Sequence, residues 1–525
     1  MQHKAIRALK AALPVLIFLS CLALSVGYFA AYGQHNLDSD MSSELVLAQL
    51  LNEEGKVALT DSWYYSTELR IVSPVPVYQL ALNLFGSWHA ARTFSIAVLM
   101  CGMALSLIYL ARGLGVSMTA SLLCASAIVL PVTIYNAFTL VYGGFYTVCV
   151  MLTFVEIGLV LRMDKKRWIE PLLLVVLGVY GGLNGVRMPM VCVAPLLAAC
   201  VLAMLPDMRR CGSLKEIVKL PMFCFLLGGL LLTVATLVGY LINTNVLAAA
   251  YDFKQYDETV LCPLRERSFV DQLIALTSFF GYRDDVQLMS MDGIVSVLAI
   301  LLPLLGVAAM AALLRMKLSS RERIVALYAP IALFMGMLIN VLVLLPGGTT
   351  TMPYSVSYYM PAALLLVFVL FWVLERFECK LRALRVLPML AVVAAFVAGN
   401  AVYRERDMNT YNTELENIAN YLMEEDCVQG YATFWNANVL TEITDGEIDV
   451  YGVENWDYGD YSEWLQRKDH RDWEPVGSIF AIFTMEDYQN GVAGCDDEHM
   501  FYASDDLCVV IYDSNEEFLA ARGEL

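Results

Sequence analysis

HNLDSDMSSELVLAQLLNEEGKVALTDSWYYSTELR, residues 35–70, is the stretch on which the reading of the fold turns. It follows the first hydrophobic segment directly and precedes all the others. Its start is polar and acidic. Then Met41, Leu45, Ala48 and Leu51 recur at helical spacing, while Ser43, Glu44, Gln49 and Asn52 face elsewhere. That pattern predicts a helix lying in a membrane interface. Asp40 is placed to cap a helix that starts at Met41. Gly55 and Lys56 break it, and Trp63, Tyr64 and Tyr65 follow, side chains that favour the headgroup level. Pro74 and Pro76 then punctuate before a second amphipathic piece at 77–85.

The chain around this loop is strongly apolar. Of 525 residues, 58% are hydrophobic and 16% charged, with a mean hydropathy of +0.59. A soluble domain carries about 25% charged residues. Apolar runs long enough to cross a bilayer are read at about 11–31, 90–111, 117–135, 141–162, 169–184, 186–205, 217–242, 290–314, 323–345, 354–374 and 384–403. The expectation is a polytopic α-helical membrane protein with about eleven spans. The first run is read as an uncleaved anchor, since it is longer than the 7–15-residue core of a secretory signal. The two runs either side of Asn184 can equally form one hairpin that enters and leaves without crossing.

Charge divides the chain in two. Residues 404–525 hold 29 of the 52 acidic residues and 6 of the 34 Lys and Arg, a local balance of −23 that leaves +5 for the rest. The domains expected are a membrane body at 1–403, which includes an outer loop at 34–89, and an acidic C-terminal domain at 404–525. Lys and Arg in short loops mark the cytoplasmic side. The loops at 162–167, 209–219, 315–323 and 376–385, with Arg112 and the N-terminus, gather 20 of the 34. The N-terminus is therefore expected in the cytoplasm, with the loop at 34–89, the loop at 243–289 and the tail outside a multi-pass cell-membrane protein.

The tail alternates short apolar runs with polar helical ones. Strands are predicted at 430–435, 447–453, 478–484, 499–504 and 507–513, and helices at 412–425, 438–444, 461–468, 485–490 and 515–522. This predicts a small α/β domain. It carries no Gly-rich phosphate loop and no GxSxG. No basic face with interleaved aromatics suggests nucleic acid. Of 13 cysteines, Cys427, Cys495 and Cys508 fall in the tail, where one disulfide can form and a thiol is left over. No Cys/His spacing suggests a structural zinc site.

A few residues can carry chemistry. Asp38 and Asp40, just outside the first span, can act as a general base on an acceptor hydroxyl or hold a divalent cation. The plainer alternative makes Asp40 a helix cap and Asp38 solvated polarity. Arg187 lies between apolar segments in GLNGVRMPM, where a charge usually faces a bundle interior or a wet cavity, and guanidinium geometry suits phosphate. Arg70, His89, Arg92, Arg283, Tyr354, Tyr358 and Tyr359 can join it around a cationic, aromatic cavity for an anionic lipid-linked sugar; singly, each also reads as a surface residue. Glu156, in the fourth run, is expected to be paired and has no assigned role.

One span, an acidic outer loop with HNLDSD, amphipathic pieces, many further spans and an outer C-terminal domain: this layout resembles the GT-C superfamily of integral membrane glycosyltransferases. PYSVSYYMP at 353–361 resembles the aromatic stretch that many such proteins have there, with Ser355 and Ser357 in the region where an arginine is often found. The resemblance implies a sugar taken from a polyprenyl-phosphate donor and moved to a cell-envelope acceptor on the outer face. It implies a base or metal-ligand role for Asp38 or Asp40, and makes Arg187 the expected phosphate contact. The partners implied are a lipid-linked donor, the membrane and the acceptor; a divalent cation is the one cofactor it leaves open. Two other functions stay in view. A transporter or lipid flippase predicts internal repeats and a site at the span midplane. A non-enzymatic scaffold predicts that the acidic tail binds a partner through its field.

Overall fold

A computed structural model describes all residues except 1, 67–68, 165–167, 254–259, 262–267, 345–351, 377–385, 407–410, 457–461, 473 and 524–525. Most of the basic loop at 376–385 and part of the one at 162–167 thus lie outside the described residues, as does the side chain of Tyr354.

A helix stands at each of the eleven expected places. Among the described residues, eight helices are long and apolar enough to cross a membrane, and a ninth span forms if Ile134–Tyr142 and Thr147–Val160, bent by 69° at a break, count as one. The expected number was too high because two apolar runs fold into short helices. Met118–Ile128 has 11 residues and Ile169–Gly182 has 14. At about 1.5 Å per residue neither reaches the roughly 30 Å of a hydrocarbon core. The helix Met360–Arg376 is the axis of the bundle, buried at every residue from Met360 to Val373.

Three breaks shape one end of this bundle. At the first, Gly144 takes a left-handed backbone (φ +67°) between Tyr142 and Thr147. A helix end exposes carbonyls without intrahelical partners. Those of Tyr142 and Gly143 accept hydrogen bonds from Arg92 and Tyr78 instead. At the second, Gly185 (φ +67°) lies in the turn between Gly182 and Pro189 and brings Arg187 to the same end. The third is the 3-10 segment Met352–Tyr359, ahead of the central helix. The chain turns there by breaking helices, and the released residues can face a site.

The loop after α1 (Gln2–Tyr32) contains α2 (Ser39–Glu53) and α3 (Val75–Leu84), and leads into α4 (Trp88–Gly113). α2 does not lie on a membrane surface as expected. Leu45, Ala48 and Leu51 are fully buried, but so are Ser39, Ser42 and Ser43 on its other side. The C-terminal domain covers the face that the sequence pattern leaves polar. Trp63 and Tyr64 also depart from the headgroup expectation: they pair as a short strand with Gln466–Arg467, and Tyr65 is buried beside them. α3 keeps the interfacial character, with Tyr78 and Ala81 buried and Leu80 and Leu84 exposed.

The C-terminal domain has a five-stranded mixed sheet in the order Asp449–Val453, Gln429–Thr433, Ile479–Thr484, Leu507–Tyr512, Met500–Ala503. The first three strands run parallel and the last two join antiparallel. All five fall within two residues of their predicted bounds. The helix predicted at 461–468 is absent. Its residues Gln466–Arg467 extend to meet Trp63–Tyr64, and the Gln466 side chain bonds both the N–H and the carbonyl of Gly452. Pairing with a distant strand overrides a local helical pattern here. Cys495 and Cys508 bring their Sγ atoms to 3.4 Å as thiols, which makes them the pair among the three tail cysteines that can bridge.

Candidate functional site

The site is built from the N-terminal turns of α2. Asp38, not Asp40, is the cap. It has extended backbone, and its Oδ1 accepts from the Met41 N–H at 2.8 Å. Asp40 is already inside the first turn, so the expected assignment shifts by two residues. This leaves the Asp40 carboxylate without a hydrogen bond among the described residues. Glu44 is one turn further on, and residues four apart on a helix share a face. Arg70 is the first opposing charge felt by both.

Electrostatics mark this cluster as tense. Burial pushes the Asp38 carboxyl up to about 7, with the Asp40 charge adding to the rise and the Met41 N–H opposing it. Burial lifts Asp40 as well, against Arg70. Burial pushes Glu44 up to about 8, again against Arg70. Asp40 and Glu44 therefore share the Arg70 guanidinium, and Asp38 is opposed by Arg92, where ionisation is costly. Glu44 Oε2 and Arg70 Nε are buried with no hydrogen-bond partner among the described residues. Such orphaned groups are rare in folded proteins and call for a ligand or water.

From Arg70 the cluster extends to the broken helices. Arg187 and Arg70 both act electrostatically on Tyr146. The Arg187 guanidinium lies 4.6 Å from the centre of the Tyr146 ring and 5.5 Å from that of Tyr358. Cation–π contacts of this kind help to hold an arginine in place.

Several other expected residues serve the scaffold. Arg92 is fully buried and ion-paired to Glu442 of the tail; it also donates to the carbonyls of Met41 (2.9 Å) and Tyr142 (3.0 Å). His89 stacks on Phe29, and its ring nitrogen lies 3.0 Å from the Ala30 carbonyl oxygen, fastening α4 to α1. Tyr359 is buried with its hydroxyl toward the Gln272 carbonyl. Arg283 holds Ser296 through its backbone. Glu156, inside the bundle, accepts from the Cys192 thiol at 3.1 Å. The structure thus gathers Asp38, Asp40 and Arg70 and connects them through Tyr146 to Arg187 and Tyr358. Arg92 acts on Asp38 and Glu44 from its place in the scaffold, and His89 is not gathered.

Two participants lie beyond the sequence reasoning. Glu44 is legible as i+4 from Asp40 but stands on the polar side of the helical pattern, and Tyr146 is positioned by a helix break. As for a cation, no three metal-ligating side chains converge among the described residues.

No protein-family model matches the chain, and no curated protein matches it either. Solved structures do. ArnT from Cupriavidus metallidurans bound to undecaprenyl phosphate is 11% identical over 95% of this chain and 97% of that one, with a TM-score of 0.57. The same protein in the apo state is 12% identical over the same shares, with a TM-score of 0.50. The archaeal oligosaccharyltransferase AglB from Archaeoglobus fulgidus, in complex with an inhibitory peptide and a dolichol-phosphate, is 10% identical over 97% of this chain and 75% of that one, with a TM-score of 0.49. At these identities the ArnT likeness shows the fold. This is a multi-pass membrane protein with a helical body folded like that of ArnT and a C-terminal α/β domain.

Proposed function

We propose that this protein is a membrane glycosyltransferase that moves a sugar from a polyprenyl-phosphate donor to an acceptor hydroxyl at the membrane surface. The observation that carries the reading is the unsatisfied ion cluster Asp40–Glu44–Arg70 at the loop-bearing end of a GT-C-type bundle. A fold similar to an ArnT structure that holds undecaprenyl phosphate supports the donor class. That end faces outward by the distribution of Lys and Arg.

In this reading Asp40 takes the proton of the acceptor hydroxyl. The acceptor oxygen attacks the anomeric carbon, the bond from that carbon to the donor phosphate oxygen breaks, and the configuration inverts. The lipid phosphate leaves with the bonding pair and is held by Arg187, with Arg70 at its edge. Stabilising charge that develops on a leaving group is commonly the largest share of such catalysis. Asp38 acts by fixing the start of α2, so that Asp40 is presented rather than consumed as a cap. No step here runs through a metal ion.

A single-turnover assay with polyprenyl-phosphate sugars in nanodiscs tests the reading. The expected result is transfer by the wild type and its loss in Asp40→Asn. Equal rates in wild type, Asp38→Asn and Asp40→Asn would remove the base assignment. Absence of transfer from any such donor would remove the function.

A further inference from the structure

A cavity of about 240 Å³ lies in the seam where the tail meets the outer loop. It is lined by the later turns of α2 (Gln49, Glu53), by Trp63 and Trp88, and by the tail, including Asp445 and Asp449. The loop and the domain close on each other around it. The Trp88 backbone N–H donates to Asp445 Oδ1 at 2.6 Å. Gly446, with a left-handed backbone (φ +80°), lies so close that an added Cβ would be 2.9 Å from the Trp88 ring. The seam is therefore built around the indole and leaves space beside it.

One feature of the lining asks for a ligand. Trp63 is fully buried, and its indole N–H has no acceptor among the described residues. Leaving a buried donor unsatisfied is costly. The rest of the lining asks for the opposite polarity. Glu53, Asp445 and Asp449 are acceptors, and the two cationic side chains nearby are shared among a larger number of acids: His470 with Asp449 at 2.9 Å, and Arg467 with Asp469 at 3.0 Å and Glu53 at 3.6 Å. A metal cation would answer the carboxylates and not the indole. A phosphate or carboxylate would answer the indole and be repelled by the acids. A polyol answers both, because each hydroxyl donates and accepts. The half-buried Trp88 ring further suits the flat C–H surface of a pyranose ring.

We propose that this cavity binds one neutral sugar unit of an extended glycan acceptor. This rests on the transferase reading and adds the class of acceptor to it. The distance fits: Gln49 and Glu53 follow Asp40 on the same helix by 9 and 13 residues, about 14 and 20 Å along its axis. An acceptor anchored in the seam reaches the ion cluster with a hydroxyl one to a few units away.

The test uses the full chain in lipid nanodiscs, which avoids sugar-based detergents, and reads binding by calorimetry and tryptophan fluorescence. The probes are maltotriose and tri-N-acetylchitotriose, with trigalacturonate as the anionic control. At least one neutral trisaccharide is expected to bind and to perturb tryptophan emission, with trigalacturonate at least about tenfold weaker. Trp63→Phe keeps the ring and removes the N–H, and should weaken binding about tenfold. Gln49→Ala at the rim should weaken it without touching the tail. Absence of binding by both neutral probes overturns the proposal, as does equal binding by wild type, Trp63→Phe and Gln49→Ala. Asp40→Asn separates the two readings, because it should bind the trisaccharide normally while transferring nothing. Normal binding with full transfer in Asp40→Asn would sink the base assignment and leave the sugar site standing.

Discussion

Arg92 and Arg70 approach the same helix, and the protein treats them differently. Arg92 is sealed between α4 and the tail, where Glu442, two backbone carbonyls and the Tyr78 hydroxyl take up its donors. Arg70 faces Asp40 and Glu44 with its Nε buried and unpaired among the described residues. Both sites are buried, and both mix acids with a guanidinium. Full satisfaction makes the first a strut. Incomplete satisfaction makes the second a place where something else must bind. Burial of a charge inside a membrane protein is therefore a weak sign of function until its hydrogen bonds have been accounted for.

The largest effect that would sharpen this contrast falls on the open cluster. Asp40→Asn should lower single-turnover transfer by about 10²–10⁴-fold, the range for removal of a general base. The melting temperature should hold or rise, because a buried carboxylate is replaced by a neutral amide. A variant that melts early and transfers at a normal rate would reverse the roles given to the two clusters.

The closed cluster should respond in stability instead. Arg92→Met leaves Glu442 buried without its partner, and breaking a buried pair costs about 3–5 kcal/mol. The tail should then detach from α2 and become sensitive to protease. The double variant Arg92→Met with Glu442→Met should recover most of the loss, since an apolar replacement of the whole pair is often neutral. Equal damage in the single and double variants would mean that the ion pair contributes more than structure.

Arg70→Gln should have a smaller, two-part effect. Loss of one phosphate contact raises the donor concentration needed for half-maximal rate by about tenfold. It also removes the charge that holds the raised Asp40 carboxyl down. A base must be ionised to work, so wild-type activity rises with pH through the Asp40 ionisation. Without Arg70 that ionisation moves up, and the acidic limb of the rate profile should shift to higher pH. An unchanged limb would separate Arg70 from Asp40.

The same contrast explains what was legible in the chain. The strand bounds in the tail, the positions of the apolar helices and the acidic start of the loop are written in local periodicity, which sequence shows directly. Asp38 and Asp40 were both visible, but which one caps the helix depends on whether the backbone at 38 or at 40 is extended. The docking face of α2 was not legible. Its Ser39 hydroxyl meets the Phe434 carbonyl 395 residues away, and Arg92 meets Glu442 across 350. A polar face written for a partner so distant looks like one written for water. Trp63 shows the same ambiguity: an indole suited to a headgroup is equally suited to a seam between a loop and a domain.

The smallest expected effect is the most direct test of whether the open cluster carries strain. Glu44 has a carboxyl raised to about 8 by burial, against an ordinary value near 4.3. In the folded protein it holds its proton more tightly than in the unfolded chain. Its contribution to stability is therefore fully present below about pH 4, declines as pH rises, and is lost once pH passes about 8. Glu44→Gln removes that dependence. Thermal unfolding should show the variant a few degrees more stable than wild type at pH 8, with the gap closing as pH falls toward 5. Transfer in the same variant should fall, because a carboxyl kept at such cost beside Asp40 and Arg70 is retained for what it does to the substrate. A gap that stays constant with pH would mean that Glu44 is ionised and comfortable, and that the cluster is a second strut like the first.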